Sequence, residues 1–173
     1  MSVAEQLAAR ITATRYEDLT PEAVYWSKVA VLDTLGVTLA GATEDAPRIL
    51  YDALELGQTR GPSLMLGTAR RLGCLDAALV NGGSSHTLDF DNTSNTMAGH
   101  MSATMIPALI AAGEAYGASG RDVLLAHAVG FETGARFGHG LNFHHHEKGW
   151  HPTSTLGVFA VTAACARMLG LSS

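Results

Sequence analysis

The fold is decided by a stretch that runs from Thr20 to Gly41 and reads TPEAVYWSKVAVLDTLGVTLAG. Threonine followed by proline is a typical helix start, because threonine caps the first turn and proline is tolerated at the first helical position. Apolar residues then recur at helical spacing through Leu35 and Leu39, and a glycine follows as a stop. This stretch therefore predicts one long helix.

Similar signals predict helices on both sides of this stretch. A capping box of Ser2 and Glu5 opens a helix near the amino terminus, and Ser119 with Asp122 opens another. Further helices are predicted over residues 46–56, 74–88 and 103–116, and from Pro152 to a stop at Gly170.

Two other segments are predicted not to be helical. Residues 62–67 are apolar and bounded by turn residues, which predicts one short β segment. Residues 138–150 hold four histidines and predict an irregular loop. The alternation of strands and helices that a parallel sheet needs is absent. We therefore predict an all-α, compact helical domain over residues 1–173, and we expect it to be the N-terminal part of a longer protein.

The composition excludes several classes of protein. Of the 173 residues, 47% are hydrophobic and 16% are charged, which is too apolar for an intrinsically disordered chain. The formal net charge is −5, so no basic surface is available for nucleic acid. The low charged fraction also predicts apolar surface that meets another chain or a further domain.

The sequence also predicts a cytoplasmic protein that does not associate with membranes. Cys74 and Cys165 form neither a disulfide framework nor a metal-binding spacing. The first fifteen residues lack the apolar segment of a signal peptide. The longest uncharged apolar stretches, near 101–113 and 153–166, are shorter than the roughly 20 residues that a membrane span needs.

The first candidate cluster runs from His86 to Thr93 and reads HTLDFDNT. Asp89 and Asp91 are two residues apart, so we expect one carboxylate to face a cleft and the other to hold the loop. Negative charge at a helix C-terminus opposes the helix dipole, which indicates a specific role for this placement. The alternative is a helix end with solvated aspartates.

Two further histidines precede predicted helix starts. His100 follows a glycine, and His151 stands directly before Pro152. A histidine near a helix N-terminus is biased toward its neutral form, which accepts a proton at neutral pH. The alternative for each is a packed or solvated ring without a chemical role.

Three consecutive histidines, residues 144–146, raise the question of a zinc site. Consecutive side chains do not easily converge on one ion, and structural zinc sites usually include thiolates at regular spacing. We therefore predict no metal. The sequence holds no dinucleotide-binding, phosphate-binding or nucleophile-elbow motif either, so we also predict no cofactor.

Short segments spread along the chain are VLDTLGV at 31–37, LGT at 66–68, DAALVNG at 76–82, DFD at 89–91, GFE at 130–132 and GWHPT at 149–153. In the order and spacing of these segments the sequence resembles the MmgE/PrpD family, which contains 2-methylcitrate dehydratase and cis-aconitate decarboxylase. The resemblance runs through essentially the whole chain.

The resemblance implies a large helical domain joined to a smaller α/β domain. It also implies a metal-free and cofactor-free active site between the two, usually in a homodimer. The positions that match the family's site are Asp89, Thr93, His100 and His151.

We assign provisional roles to these residues. His100 and His151 are the candidate acid/base pair, because removing water from a hydroxy acid requires a base for the α-proton and an acid for the hydroxyl. Asp89 would orient an imidazole or hydrogen-bond a substrate hydroxyl, and Thr93 would bind a carboxylate. Two further candidates for substrate binding are Asp91 and His86.

Four functions remain open from the sequence, one of them a metal-binding role for the histidine cluster. The leading one is a lyase, a dehydratase or decarboxylase, acting on a small polycarboxylate. An isomerase or epimerase would use the same α-proton abstraction with reprotonation in place of a leaving group. A non-catalytic helical dimerisation module, or a fragment, is the candidate from a different class.

Overall fold

A computed structural model describes residues 2–53, 60–141 and 143–172. Helices dominate this part of the chain, which confirms the predicted all-α class. The helices are α1 (Val3–Ala13), α2 (Pro21–Gly41), α3 (Asp45–Ala53), α4 (Cys74–His86), α5 (Met101–Tyr116), α6 (Gly120–Leu141), α7 (His144–Glu147), α8 (Pro152–Thr155) and α9 (Gly157–Met168), with a 3-10 turn at Tyr16–Asp18. The strands are β1 (Ser63–Leu64) and β2 (Arg71–Leu72).

Side-chain caps fix the starts of the helices as predicted. The Glu5 N–H donates to the Ser2 hydroxyl at 3.2 Å, and the Ser2 N–H donates to the Glu5 carboxylate at 2.6 Å. The Thr20 hydroxyl accepts from the N–H of Ala23 at the start of α2. These bonds satisfy backbone donors that have no partner within the helix.

Helix α5 lies at the centre of the domain, where it packs against α4, α6 and α9. Most of its residues are apolar or small, which is typical of a helix surrounded by other helices. Met101, Met105 and Leu109 are almost fully buried along α5. They form the main core with residues of α6 and α9, among them Ala126 and Ala160.

A short hairpin of β1 and β2, which pair antiparallel, contacts α4 and α5. The buried Asn81 side chain of α4 holds this hairpin in place. Its oxygen accepts from the Leu66 N–H at 2.9 Å, and its amide donates to the Leu64 carbonyl at 2.9 Å. The β segment predicted over 62–67 is thus confirmed for two residues. β2 was not predicted, because Arg71–Leu72 holds a charged residue and only one apolar residue, with no apolar run around it.

The predicted irregular loop over residues 138–150 is wrong in part. Helix α6 continues through Gly138 to Leu141, and α7 forms within the rest. A Cβ added at Gly138 would lie 2.6 Å from the backbone oxygen of Thr96. This glycine therefore permits a close approach of the neighbouring loop and does not end the helix.

Other helix boundaries differ from the prediction by smaller amounts. The last predicted helix is divided into α8 and α9 at Leu156, and its stop at Gly170 is confirmed by a φ of 66°. Helix α4 ends two residues earlier than predicted, and α5 begins two residues earlier. The predicted end of α3 at Leu56 lies outside the described residues.

Helix α2 packs one face against the domain, and this face holds small residues such as Ser27, Ala30 and Thr34. The other face exposes large apolar side chains: Tyr25, Trp26, Val29, Leu32 and Leu39. Among the described residues, no helix combines the length and the apolar character that crossing a membrane requires.

The contact between α6 and α9 gives a first prediction. A Cβ at Gly130 would lie 2.7 Å from the backbone oxygen of Ala160 and 2.7 Å from the Cβ of Ala164. We expect Gly130→Ala to lower the free energy of unfolding by about 1–3 kcal/mol, because the two helices must separate to admit the methyl group. Denaturant unfolding measures this change.

The matched control is Gly36→Ala in α2, where an added Cβ meets nothing within 4 Å. There the change should be neutral or stabilising by up to about 1 kcal/mol, because alanine favours helix more than glycine does. Equal destabilisation by both variants would contradict the packing argument.

His127 is a buried titratable side chain between α6 and α2. Its Nδ1 lies 3.1 Å from the Ser27 hydroxyl, and its Nε2 has no hydrogen-bond partner in the described structure. Burial lowers the pKa of His127 from 6.5 to about 4, because the charged ring would lose its hydration. The folded protein therefore keeps this ring neutral in mild acid.

We expect His127 to make the protein less stable as the pH falls from about 6.5 to about 4. In this window the unfolded chain protonates the ring and the folded protein does not, so protons favour unfolding. A shift of this size corresponds to about 3 kcal/mol. Unfolding free energies measured across this range should fall less steeply for His127→Gln than for the wild type. His139→Gln changes an exposed histidine of the same helix, and its unfolding free energy should fall with pH as steeply as that of the wild type. Parallel curves of unfolding free energy against pH for all three proteins would contradict the prediction.

Candidate active site

The side chain of Asp91 is the centre of the candidate site. Its carboxylate is fully buried, with no exposed surface. One oxygen lies 2.9 Å from Nδ1 of His86, and the other lies 3.1 Å from Nδ1 of His100. A buried carboxylate needs such partners, because removing it from water is costly. Asp91 therefore joins the end of α4 to the start of α5.

A second set of contacts fixes His100 against α8. The backbone N–H of His100 donates to the Thr153 hydroxyl at 2.9 Å. The preceding Gly99 makes this approach possible, since a Cβ there would lie 2.8 Å from the Thr153 nitrogen. The imidazole of His100 keeps only 16% of its surface exposed. Its position is thus set by α8 as well as by Asp91.

Asp89 differs sharply from Asp91. Its side chain is 79% exposed, and one oxygen lies 3.6 Å from Nε2 of His100. The backbone at Asp89 has a φ of 55°, which a non-glycine residue adopts rarely. The two carboxylates point in different directions, as the sequence predicted, and Asp91 is the one that holds the loop.

Three imidazoles lie side by side at this surface. The ring of His86 is 4.8 Å from the ring of His100 and 6.4 Å from that of His151, measured between centroids. The His86 and His151 planes are inclined by 26°, which is close to stacked. His151 is exposed and stands immediately before α8. The structure therefore brings together His100 and His151, which the sequence paired, with His86 next to both.

Thr93 is exposed on the loop that follows Asp91. The same loop is tied to α2, because the N–H of Asn92 donates to the Asp33 carboxylate at 3.3 Å. Sequence reasoning had assigned no role to Asp33 or to Thr153. Thr153 directly follows the His151-Pro152 helix start, a position that could have suggested a structural partner.

Four side chains of the site could offer ligands to a metal ion. His86, Asp89, Asp91 and His100 each have a donor atom within 4.8 Å of the others. The Nδ1 atoms of both histidines, however, lie at hydrogen-bond distance from Asp91. A neutral ring that donates through Nδ1 keeps its lone pair on Nε2, so only the Nε2 atoms of these two rings could bind an ion while the hydrogen bonds to Asp91 persist.

The consecutive histidines of α7 do not form such a group in the described structure. Nε2 of His145 lies 2.7 Å from the Thr155 hydroxyl, and its ring stacks on Trp150 at 6.1 Å. His144 lies 3.8 Å from Glu147 of the same helix. These contacts fasten α7 to α8 and keep the neighbouring rings apart.

A concave surface of about 690 Å³ lies elsewhere, between α1, the 3-10 turn and α6. Leu7 and Ile11 line it on one side, and Val129 and Arg136 on the other. No residue of the histidine cluster borders it. The histidine cluster is the candidate site for proton transfer, because the groove is lined by no histidine.

The bond between His100 and Thr153 gives a prediction on stability. Thr153→Val keeps the shape of the side chain but removes the acceptor, which leaves a part-buried N–H without a partner. We expect the free energy of unfolding to fall by about 1–3 kcal/mol in denaturant titrations. Thr162→Val removes an exposed hydroxyl of α9 and should cost less than about 0.5 kcal/mol. A larger loss at Thr162 than at Thr153 would contradict the assignment.

Comparison with known proteins adds an independent finding. A sequence profile described as the MmgE/PrpD N-terminal domain matches residues 5–173. The cis-aconitate decarboxylase of Homo sapiens is 34% identical over 178 residues, which cover 99% of this chain and 37% of that protein.

Two further cis-aconitate decarboxylases show the same relation. The protein of Mus musculus is 33% identical, with 99% of this chain and 36% of the relative covered. The protein of Aspergillus terreus is 26% identical, with 90% and 33% covered. The chain thus spans little more than a third of the length of these relatives. Because the family profile matches nearly all of its residues, the chain belongs to the MmgE/PrpD family.

Proposed function

We propose that this chain is the N-terminal helical part of a lyase that acts on a small polycarboxylate. The reaction would be decarboxylation of a cis-aconitate-like acid or dehydration of a 2-methylcitrate-like hydroxy acid. The observation that carries the proposal is the convergence of His86, His100 and His151 beside an exposed carboxylate, Asp89. The names of the relatives support the decarboxylase reaction class.

Proton transfer is the chemistry that this arrangement supports best. Imidazole is the side chain suited to gaining and losing protons near neutral pH, and both lyase reactions move a proton at a carbon next to a carboxylate. His100 and His151 form the proposed acid/base pair, without an assignment of which is the acid. No metal and no cofactor enters this proposal.

The remaining residues take substrate-binding roles in the proposal. Asp89 is exposed and 3.6 Å from His100 Nε2, so it is placed to orient that ring when Nε2 carries a proton, or to accept a hydrogen bond from a substrate hydroxyl. Thr93 offers an exposed hydroxyl for a substrate carboxylate. The ring of His86 lies 4.8 Å from that of His100 and 6.4 Å from that of His151, so it forms part of the surface that the substrate would contact.

A polycarboxylate also needs positive charge, which the cluster lacks. Its own charged groups include two carboxylates, and the chain carries a net charge of −5. We propose that further protein surface supplies the cationic groups, from a longer chain or from a second copy in a homodimer. The exposed apolar face of α2 supports such a partner, because large apolar patches usually mark interaction sites. A cytoplasmic location remains a prediction.

The test is a histidine substitution in the intact protein that carries this domain. Turnover of cis-aconitate, 2-methylcitrate and citrate would be measured for the wild type and for His151→Gln. We expect kcat to fall by about 10²–10⁴-fold, since one positioned acid or base contributes that much. His146→Gln changes an exposed histidine of α7 and should leave turnover unchanged. Unaltered rates for His151→Gln on whichever substrate is turned over would overturn the acid/base role.

An isomerase or epimerase is the second candidate, because the same imidazoles would abstract and return an α-proton. Incubation in deuterated water separates the two reactions. A lyase gives a product that has lost carbon dioxide or water, whereas an epimerase exchanges the α-hydrogen and keeps the carbon skeleton.

A non-catalytic dimerisation module is the third candidate, and the exposed face of α2 favours it. This candidate predicts no turnover by the intact protein on any of the three acids. It also predicts that substitutions in α2, and not in the histidine cluster, change the behaviour of the protein.

A further inference from the structure

We propose that Asp91 is a positioning residue that holds His86 and His100 in the same tautomer, with the proton of each neutral ring on Nδ1. This inference rests on the proposed function for its kinetic consequences, but its structural part does not. It gives Asp91 a role behind the imidazoles in place of the direct substrate contact that the sequence suggested.

For His100 the hydrogen-bond geometry determines the position of the proton. Nδ1 of His100 lies 3.1 Å from the carboxylate of Asp91 and also 3.1 Å from the backbone oxygen of Asp91. A backbone carbonyl only accepts hydrogen bonds, so Nδ1 must be the donor. In the neutral ring this leaves Nε2 with a lone pair.

For His86 the position of the proton follows from its contact with the Asp91 carboxylate. The His100 ring donates to one oxygen of Asp91, and Nδ1 of His86 lies 2.9 Å from the other. An ionised carboxylate only accepts hydrogen bonds, so this Nδ1 must donate as well. Asp91 therefore leaves two rings, and not one, with Nε2 free to accept a proton.

Burial makes this arrangement hard to change. The carboxylate of Asp91 has no exposed surface, so water cannot replace either imidazole as its partner. Rotating one ring by a half turn would direct a carbon atom at a buried acceptor, which is unfavourable. Because Asp91 is enclosed in this way, it acts on a substrate only through the two rings.

The exposed side of the cluster is where the freed nitrogens matter. Nε2 of His100 lies 3.6 Å from the exposed carboxylate of Asp89. The ring of His86 lies 4.8 Å from that of His100 and 6.4 Å from that of His151. The proposal thus makes His86 a second ring prepared to accept a proton, adjacent to both members of the proposed acid/base pair.

The first test measures tautomers in the intact wild-type protein and needs no substrate. Nitrogen-15 NMR distinguishes protonated from unprotonated ring nitrogens, and His86→Gln and His100→Gln variants assign the signals. In the neutral form of each ring we expect the proton on Nδ1 and none on Nε2. A proton on Nε2 of neutral His86 or of neutral His100 would overturn the proposal.

The second test is Asp91→Asn, which keeps the shape of the side chain but replaces one acceptor by a donor. One of the two rings must then change its tautomer, and the NMR signals should report the change. We expect kcat to fall by about 10²–10⁴-fold while KM changes less than about threefold, because the residue does not touch the substrate. Asp45→Asn, an exposed aspartate paired with Arg48 on α3, removes the same charge and should leave kcat unchanged.

The outcomes separate this inference from the proposed function. A raised KM with unchanged kcat for Asp91→Asn would show direct substrate binding and contradict the positioning role. If Asp91→Asn does not fold, as circular dichroism would show, the wild-type NMR measurement decides alone. If the wild type has the expected tautomers but turns over none of the acids, the proposed function fails while the structural role of Asp91 stands.

Discussion

The burial of one carboxylate is the constraint on which the rest of the site depends. Asp91 has no exposed surface, and a charged group in such a place must be paired with hydrogen-bond donors. The donors come from two segments, the end of α4 and the residue that precedes α5. The chain between them is therefore closed into a loop whose ends cannot separate without leaving the carboxylate unpaired.

The main core packs against this loop. Met97 is buried within it, and Met97 packs with residues of α5, α6 and α9. Gly134 and Gly138 of α6 allow the approach, because a Cβ at either position would lie within 3 Å of loop atoms. Contact between α8 and His100 through Thr153 completes the support. The contacts that stabilise the helical core therefore also fix the positions of the imidazoles.

The candidate site lies at the surface of the domain that the structure describes. It concentrates imidazoles and carboxylates at a surface, and Asp89 and His151 remain exposed. An anionic substrate would need cations that this cluster does not contain. The relatives are nearly three times as long as the aligned region, which is consistent with a site that additional protein surface completes.

Local signals determined much of the fold. The capping residues Ser2, Thr20 and Ser119 fixed where helices begin, because their side chains bond to backbone groups only a few residues away. Gly117 and Gly170, which both adopt positive φ, fixed where helices end. The irregular loop predicted from Gly138 onward was wrong in part, because Gly138 lies within α6 and allows a neighbouring loop to approach. Nothing in the local sequence distinguishes such a glycine from one that ends a helix.

For the candidate site, too, the sequence determined some features and the tertiary structure decided others. The sequence by itself determined which residue types are available, and it placed His100 and His151 before predicted helix starts. The choice of Asp89 among the carboxylates came from the resemblance to the family. Only the tertiary structure decided that the ring of His86 lies near both other imidazoles and that the buried carboxylate of Asp91 contacts His86 and His100. The physical reason is that helix ends depend on hydrogen bonds between near neighbours in the chain. The placement of the loop that holds Asp91, by contrast, also depends on hydrogen bonds of Asn92 to Asp33 in α2 and of His100 to Thr153 in α8, partners that lie 59 and 53 residues away in the sequence.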